Sequence, residues 1–167
     1  HQAFEATKWV AEHGQEIGVD GSRLGLVGNS VGGNMVASVA LQAKQFNGPK
    51  IRYNVMLWPV TDANFGTASY NQFENGYFLS KNMMKWFWDN YTTNAADRNN
   101  ILASPLRAST AQLKGFPETL IQTAELDVLR DEGEAFGRKL DAAELRVDGL
   151  RERRDGQRFG QARHAFE

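Results

Sequence analysis

The sequence predicts an α/β fold, a three-layer sandwich around a mostly parallel sheet, and three observations carry that prediction. Short apolar runs at residues 24–27, 51–60 and 119–124 have the length of strands and are separated by helical patterns and loops. Residues 34–45, rich in Ala, Val and Met, read as a helix between the first two runs, and strand, helix, strand in this spacing is a right-handed βαβ unit. The first run, Leu24-Gly25-Leu26-Val27, is too short and too apolar for a half-exposed strand, which places it inside a parallel sheet covered on both faces.

Residues 2–17 read as an amphipathic helix with Phe4, Trp9 and Val10 among its apolar positions. It stops before Gly18, and Val19-Asp20-Gly21-Ser22 turns the chain into the first strand. The helix over 34–45 ends near Asn47-Gly48-Pro49, and the second strand follows. From 61 to 80 the periodicity disappears and the composition turns to Asn, Gly, Ser, Tyr and Phe, the mark of a long ordered loop. Loops on the carboxyl edge of a parallel sheet are where such folds hold their ligands.

Residues 81–91 form a helix with a heavily aromatic face. Taken singly, Trp86, Trp88 and Tyr91 read as core; grouped beside the loop, the aromatic residues also read as walls of an apolar pocket, with Phe78, Leu79 and Trp86 as its candidates. Ser104-Pro105-Leu106 and Gly115-Phe116-Pro117 punctuate another loop before the third strand. That strand ends at Glu125-Leu126-Asp127, and Asp131-Glu132-Gly133-Glu134 opens a helix running to about Ala143, its acidic first turn suiting the helix dipole. The domain is expected over 1–143, followed by a divergent tail over 144–167 that holds Arg146, Arg151, Arg153, Arg154, Arg158 and Arg163 and no strand pattern.

Composition narrows the partners. The 167 residues suffice for one domain with a core, and a net charge of -1 gives no electrostatic reason for a nucleic-acid or anionic-membrane partner. No cysteine is present, so disulfides, thiolate metal sites and cysteine nucleophiles are excluded, and a reducing cytoplasm is compatible. No apolar run approaches the roughly 18 residues of a membrane span. The chain opens at His1, already inside a helical pattern, and is expected to be a fragment.

The chemistry concentrates at Gly28-Asn29-Ser30-Val31-Gly32-Gly33, between the first strand and its helix. Strand, sharp turn with a serine at its apex, then helix is a nucleophile elbow. Gly28 and Gly32, two residues either side of Ser30, are small enough for strand and helix to pass closely. A serine hydroxyl needs a base within hydrogen-bond reach and fixed donors for the oxyanion, and the Val31 N–H at the helix start is one such donor. A phosphate loop would want Gly-x-Gly-x-x-Gly or a terminal Lys-Ser/Thr pair, and neither occurs. Asp127 falls just past a strand end on the same sheet edge as Ser30; it reads as catalytic, with a capping or loop aspartate as the alternative.

With the elbow, the Ser-Pro-Leu loop and Asp127-Val128-Leu129-Arg130-Asp131-Glu132-Gly133-Glu134 in view, residues 1 to about 143 closely resemble an α/β-hydrolase of the hormone-sensitive-lipase-like branch, the bacterial carboxylesterases. The resemblance implies an α/β-hydrolase fold truncated on its amino-terminal side, puts the acidic triad role on Asp127 and leaves Asp131 to the helix start. Trp58-Pro59-Val60-Thr61-Asp62 resembles the strand end leading to the pocket, with Asp62 structural. The family's His-Gly-Gly-Gly loop has no match here, so part of the oxyanion hole is expected outside this chain. Ser, Asp, His order leaves His164, in Arg163-His164-Ala165-Phe166, as the candidate base, set further along and without the strand that precedes it in the family. A shift of reading frame near Ala143 would account for both departures.

The resemblance implies hydrolysis of uncharged carboxylic esters of short or medium acyl chain through an acyl-enzyme, without metal or organic cofactor. Ser30 attacks, His164 shuttles the proton, Asp127 steadies the imidazolium and Val31 N–H holds the oxyanion. The alternatives are a non-catalytic binding domain that retains the hydrolase core, and a related hydrolase of amides or lactones.

Overall fold

The computed structural model describes residues 1–145; the arginine-rich segment from 146 onward, and His164 with it, lies outside the described residues. Three parallel strands, β1 (Leu24–Asn29), β2 (Ile51–Leu57) and β3 (Glu118–Gln122), lie in that order with β2 central. Val27 faces Val55, which faces Leu120, so all three carboxyl ends lie on one edge. That common edge is what lets residues distant in sequence converge.

Helix α1 (Gln2–His13) ends in a single 3-10 turn over 14–17, where Gly18 at φ 75 reverses the chain. Helix α2 (Val31–Gln45) starts directly after Ser30, three residues earlier than the pattern over 34–45 indicates. Strand β2 ends at Leu57 rather than at residue 60 because Trp58 adopts φ 37 and Pro59 has no N–H to offer a ladder. The long connection from β2 to β3 carries α3 (Ala68–Gln72), α4 (Lys81–Tyr91), α5 (Ala95–Asn99) and α6 (Thr110–Leu113), and α7 (Arg130–Leu145) follows β3.

Helices α2 and α7 pack on the same side of the sheet. Val36, Ala37, Ala40 and Leu41 from α2 meet Met56 of β2 and Phe136 of α7 in one apolar cluster. Removing a side chain the size of Phe136 from water contributes roughly 1.5–3 kcal/mol. The opposite face of the sheet is open among the described residues: Val27 is 72%, Tyr53 39% and Leu120 40% exposed. Strand β1 thus alternates half-buried and exposed positions instead of being covered on both faces, because both helices that lie on the strands approach from one side.

A second cluster stands at the carboxyl edge. Val60, Tyr70, Phe73, Met84, Trp88, Val128 and Leu129 join the loop over 58–80, α4 and the segment after β3. The loop is therefore ordered by its own buried aromatics, and Ser80 caps α4 by accepting from Met83 N–H at 3.2 Å. No described helix is long and apolar enough to cross a membrane.

Candidate active site

Ser30 stands between β1 and α2 at φ 52 and ψ -120, a backbone conformation that L-residues with a side chain avoid. Three hydrogen bonds hold it there. Its N–H donates to Leu57 O at 2.9 Å, and its carbonyl accepts from Val60 N–H and Asn34 N–H, each at 3.2 Å. The close passage of strand and helix is equally direct: a Cβ on Gly28 would come within 2.2 Å of Gly32 O, and one on Gly33 within 2.7 Å of Pro59 Cβ. A Cβ on Gly32 would meet only Asn29 Oδ1, at 3.8 Å, so the demand for small residues falls on Gly28 and Gly33 and spares Gly32.

Among the described residues no side chain hydrogen-bonds the Ser30 hydroxyl, and Val31, 62% exposed, begins α2 with its N–H turned to the same end. Ser30, Val31, Asn34 and Met35 border a cavity of about 600 Å³. Its other walls include Leu79, Met84, Phe87, Trp88 and Tyr91. Of the pocket residues expected from sequence, Leu79 is on the wall. Phe78, 97% exposed, and Trp86, 61% exposed, are not. Helix periodicity explains the difference: Met84 and Trp88 face the core, while Trp86, two residues on from Met84, comes out on roughly the opposite side at 3.6 residues per turn.

Asp127 lies five residues past the end of β3, in the turn that leads into α7. Its Oδ1 accepts from Leu129 N–H at 2.9 Å, and its carbonyl accepts from Arg130 N–H at 3.2 Å. Burial pushes its carboxyl upward, with the Leu129 N–H working against that. Among the described residues no basic side chain forms an ion pair with it. Asp131 instead serves structure, accepting from Ser69 N–H at 2.7 Å and pairing with Arg130 at 3.1 Å. Asp62 is also engaged, at 2.6 Å from Arg107 Nε and 2.9 Å from Ala63 N–H.

The sequence matches the alpha/beta hydrolase fold family over residues 1–159. The chain belongs to that family. A thermostable esterase of this fold from Pseudomonas putida ECU1011 is 68% identical and superposes with a TM-score of 0.84, covering 85% of this chain and 44% of that one. The ethyl acetate hydrolase of Pseudomonas putida is 37% identical over 146 residues, which are 87% of this chain and 45% of the relative. Vegetative-specific protein H5 of Dictyostelium discoideum is 47% identical over 131 residues, 77% of this chain and 39% of the relative. The chain spans less than half the length of each of these proteins.

One polar residue of this alpha/beta hydrolase segment escaped the sequence reading. Glu132 is 1% exposed, and its Oε1 accepts from Thr61 N–H at 2.6 Å and Asp62 N–H at 3.3 Å. A signal was present, because Leu129, Glu132, Phe136 and Leu140 recur with helical period, which puts Glu132 on the apolar face of α7. Burial raises its carboxyl well above the ordinary range, and neighbouring Asp62 and Asp127 act in the same direction.

Proposed function

We propose that this chain is the serine-bearing portion of a carboxylic-ester hydrolase that works through an acyl-enzyme. The observation that carries the reading is Ser30 itself, held at φ 52 on the wall of an apolar cavity, a strained conformation of the kind kept where geometry serves chemistry. Its Oγ attacks the ester carbonyl carbon while its proton passes to the imidazole assigned to His164. The oxyanion that forms is held by the Val31 N–H at the start of α2, where the helix dipole favours negative charge. Collapse breaks the carbon–oxygen bond to the alcohol, which leaves with the imidazolium proton. Water then attacks the acyl group by the same route and releases the carboxylic acid, restoring Ser30. Asp127 accepts a hydrogen bond from the imidazole and stabilises its charged form.

The cavity walls favour an uncharged acyl group of short or medium length, since Met35, Leu79, Met84 and Phe87 present hydrocarbon and, among the described residues, His1 alone brings a basic side chain to the lining. The name of the ethyl acetate hydrolase of Pseudomonas putida points the same way. The test is hydrolysis of a short-chain p-nitrophenyl ester by the chain beside its Ser30→Ala variant, with labelling by a fluorophosphonate as a second readout. Labelling forms a bond from Ser30 Oγ to phosphorus and expels fluoride, with the hydroxyl proton lost to the base. Hydrolysis and labelling that vanish in Ser30→Ala support the assignment; equal background rates in both proteins overturn it.

A further inference from the structure

We propose that Glu132 is a positioning residue of the site, a strut from α7 that fixes the Ser30 turn relative to the Asp127 loop; the proposal rests on the assignment of Ser30 and Asp127 as reacting partners. The connection is continuous. Val60 N–H donates to Ser30 O at 3.2 Å, and Asn34 Nδ2 donates back to Val60 O at 2.9 Å, so Val60 is tied to the elbow from both sides. The next two amides along the chain, Thr61 and Asp62, end on Glu132 Oε1, while Thr61 Oγ1 donates to Glu132 O at 2.9 Å. From the start of α7 the path returns through Gly133 N–H to Leu129 O at 3.1 Å, and Leu129 N–H holds Asp127 Oδ1 at 2.9 Å.

The choice of residue type fits a strut. The chain beyond β2 has left the sheet, so the Thr61 and Asp62 amides have no ladder partner and need an acceptor inside the protein. Thr61 is 0% and Glu132 1% exposed, so water cannot take that place. A carboxyl is costly to bury, and here both donors fall on Oε1 while Oε2 is buried with no partner among the described residues, a cost set against the contact that Oε1 makes. Asp62 and Arg107 close the outer side of the same turn at 2.6 Å, leaving Glu132 as the contact on the inner side. Glycine at 133 keeps the approach tight, since a Cβ there would come within 2.9 Å of Thr123 Cγ2 and 3.6 Å of Pro59 Cδ.

The experiment compares wild type with Glu132→Gln, Glu132→Ala and Thr61→Val. Glutamine keeps an oxygen acceptor for both amides, alanine removes it, and valine removes only the Thr61 hydroxyl at nearly constant volume. Two readouts are taken: hydrogen exchange at the Thr61 and Asp62 amides, and the fluorophosphonate labelling of Ser30 as a function of probe concentration. A strut predicts that Glu132→Ala loses amide protection and slows the maximal labelling rate at least tenfold with the half-saturating concentration unchanged. Glu132→Gln restores both to within about threefold, and Thr61→Val shows a smaller loss in the same direction. Should Glu132→Ala fail to fold, Thr61→Val against Glu132→Gln still carries the comparison. Unchanged protection and labelling in Glu132→Ala, or equal losses in Glu132→Gln, would overturn the strut. Wild type that labels no better than Ser30→Ala would sink the hydrolase assignment instead, and the tie between the two loops is then judged by amide protection alone.

Discussion

Replacing Gly28 and Gly32 separately by alanine tests the elbow with a single added methyl group. The two glycines look equivalent in a Gly-x-Ser-x-Gly pattern, yet their surroundings differ. At Gly28 the new Cβ would sit 2.2 Å from Gly32 O, 2.3 Å from Gly32 C and 2.8 Å from Gly33 N, all backbone atoms that no rotamer change can move. Strand and helix must separate, and overpacking of this kind costs roughly 1–3 kcal/mol or more. At Gly32 the nearest atom is a side-chain oxygen at 3.8 Å, ordinary contact distance. There alanine reduces the freedom of the unfolded chain and suits the first turn of a helix, for a gain of about 0.4–1 kcal/mol. The difference between the variants is therefore about 1.5–4 kcal/mol, and at 2–4 °C per kcal/mol for a chain of this size it separates their Tm values by about 3–16 °C. Urea and thermal unfolding followed by circular dichroism measure it. Equal stabilities for Gly28→Ala and Gly32→Ala, or a cost at Gly32 alone, would show that the packing described for the elbow is wrong.

Ser30→Gly should be more stable than Ser30→Ala by about 1–3 kcal/mol in the same urea assay, less the roughly 0.5–1 kcal/mol that glycine loses in chain entropy, because it relieves the positive φ that alanine keeps. Phe136→Ala, at a position 0% exposed and edge-on to Phe116 at 6.1 Å, should lose about 3–5 kcal/mol. Asp127→Asn should lower ester hydrolysis by ~10⁴ while leaving the fold unchanged by circular dichroism, if the residue steadies an imidazolium. The buried carboxyl of Glu132 gives a pH signature. Its folded-state value is raised above the ordinary 4.5, so as pH climbs past 4.5 the unfolded chain releases a proton that the folded chain keeps, and folding stability falls. Glutamine does not titrate, so the stability of Glu132→Gln relative to wild type should increase as pH rises from 4 to 7; urea midpoints that move in parallel would count against a buried neutral carboxyl.

The elements with a strong local signal were legible in the sequence. Residues 81–91 carry a complete helical period between Ser80, which caps the start, and Thr92, and α4 occupies that range. The elbow's close passage was legible at Gly28, because the backbone that a Cβ there would meet lies four residues on, whereas the indifference of Gly32 and the bonds from Leu57 and Val60 that hold the Ser30 φ were not. What escaped depended on partners distant in sequence. The short helices α5 and α6 are too brief to show a period and are made by caps, Asn94 on Ala96 N–H and Ser109 with Gln112. Phe78 and Trp86 looked like pocket walls by composition, yet Met84 and Trp88, packed against Tyr70 and Phe73, turn to the cavity, which leaves Trp86 on the other side of α4 and Phe78 exposed in the loop before it. Strand β1 looked doubly buried because its residues are apolar, but burial is conferred by what lies across from a strand, which four residues cannot report.

The positive φ at Ser30 sets a requirement on the rest of the carboxyl edge. A conformation costing on the order of 1–3 kcal/mol would relax by letting the turn swing outward unless both of its peptide groups were held. The Leu57 carbonyl takes the N–H and Val60 and Asn34 supply donors for the carbonyl, so the restraint comes from the end of β2 and the first turn of α2. Just past the end of β2 the chain turns out of the sheet: Trp58 bends at φ 37, while its N–H still reaches across to Gln122 O of β3 at 2.6 Å. One bend thus faces both neighbours, Ser30 after β1 and the acidic segment after β3. A central strand that ends in a kink, rather than in a freely turning loop, brings Pro59 against both the first turn of α2, at Gly33, and the first turn of α7, at Gly133. Mutations at Trp58 and Pro59 should accordingly disturb the Ser30 turn and the start of α7 together, read as loss of amide protection at both.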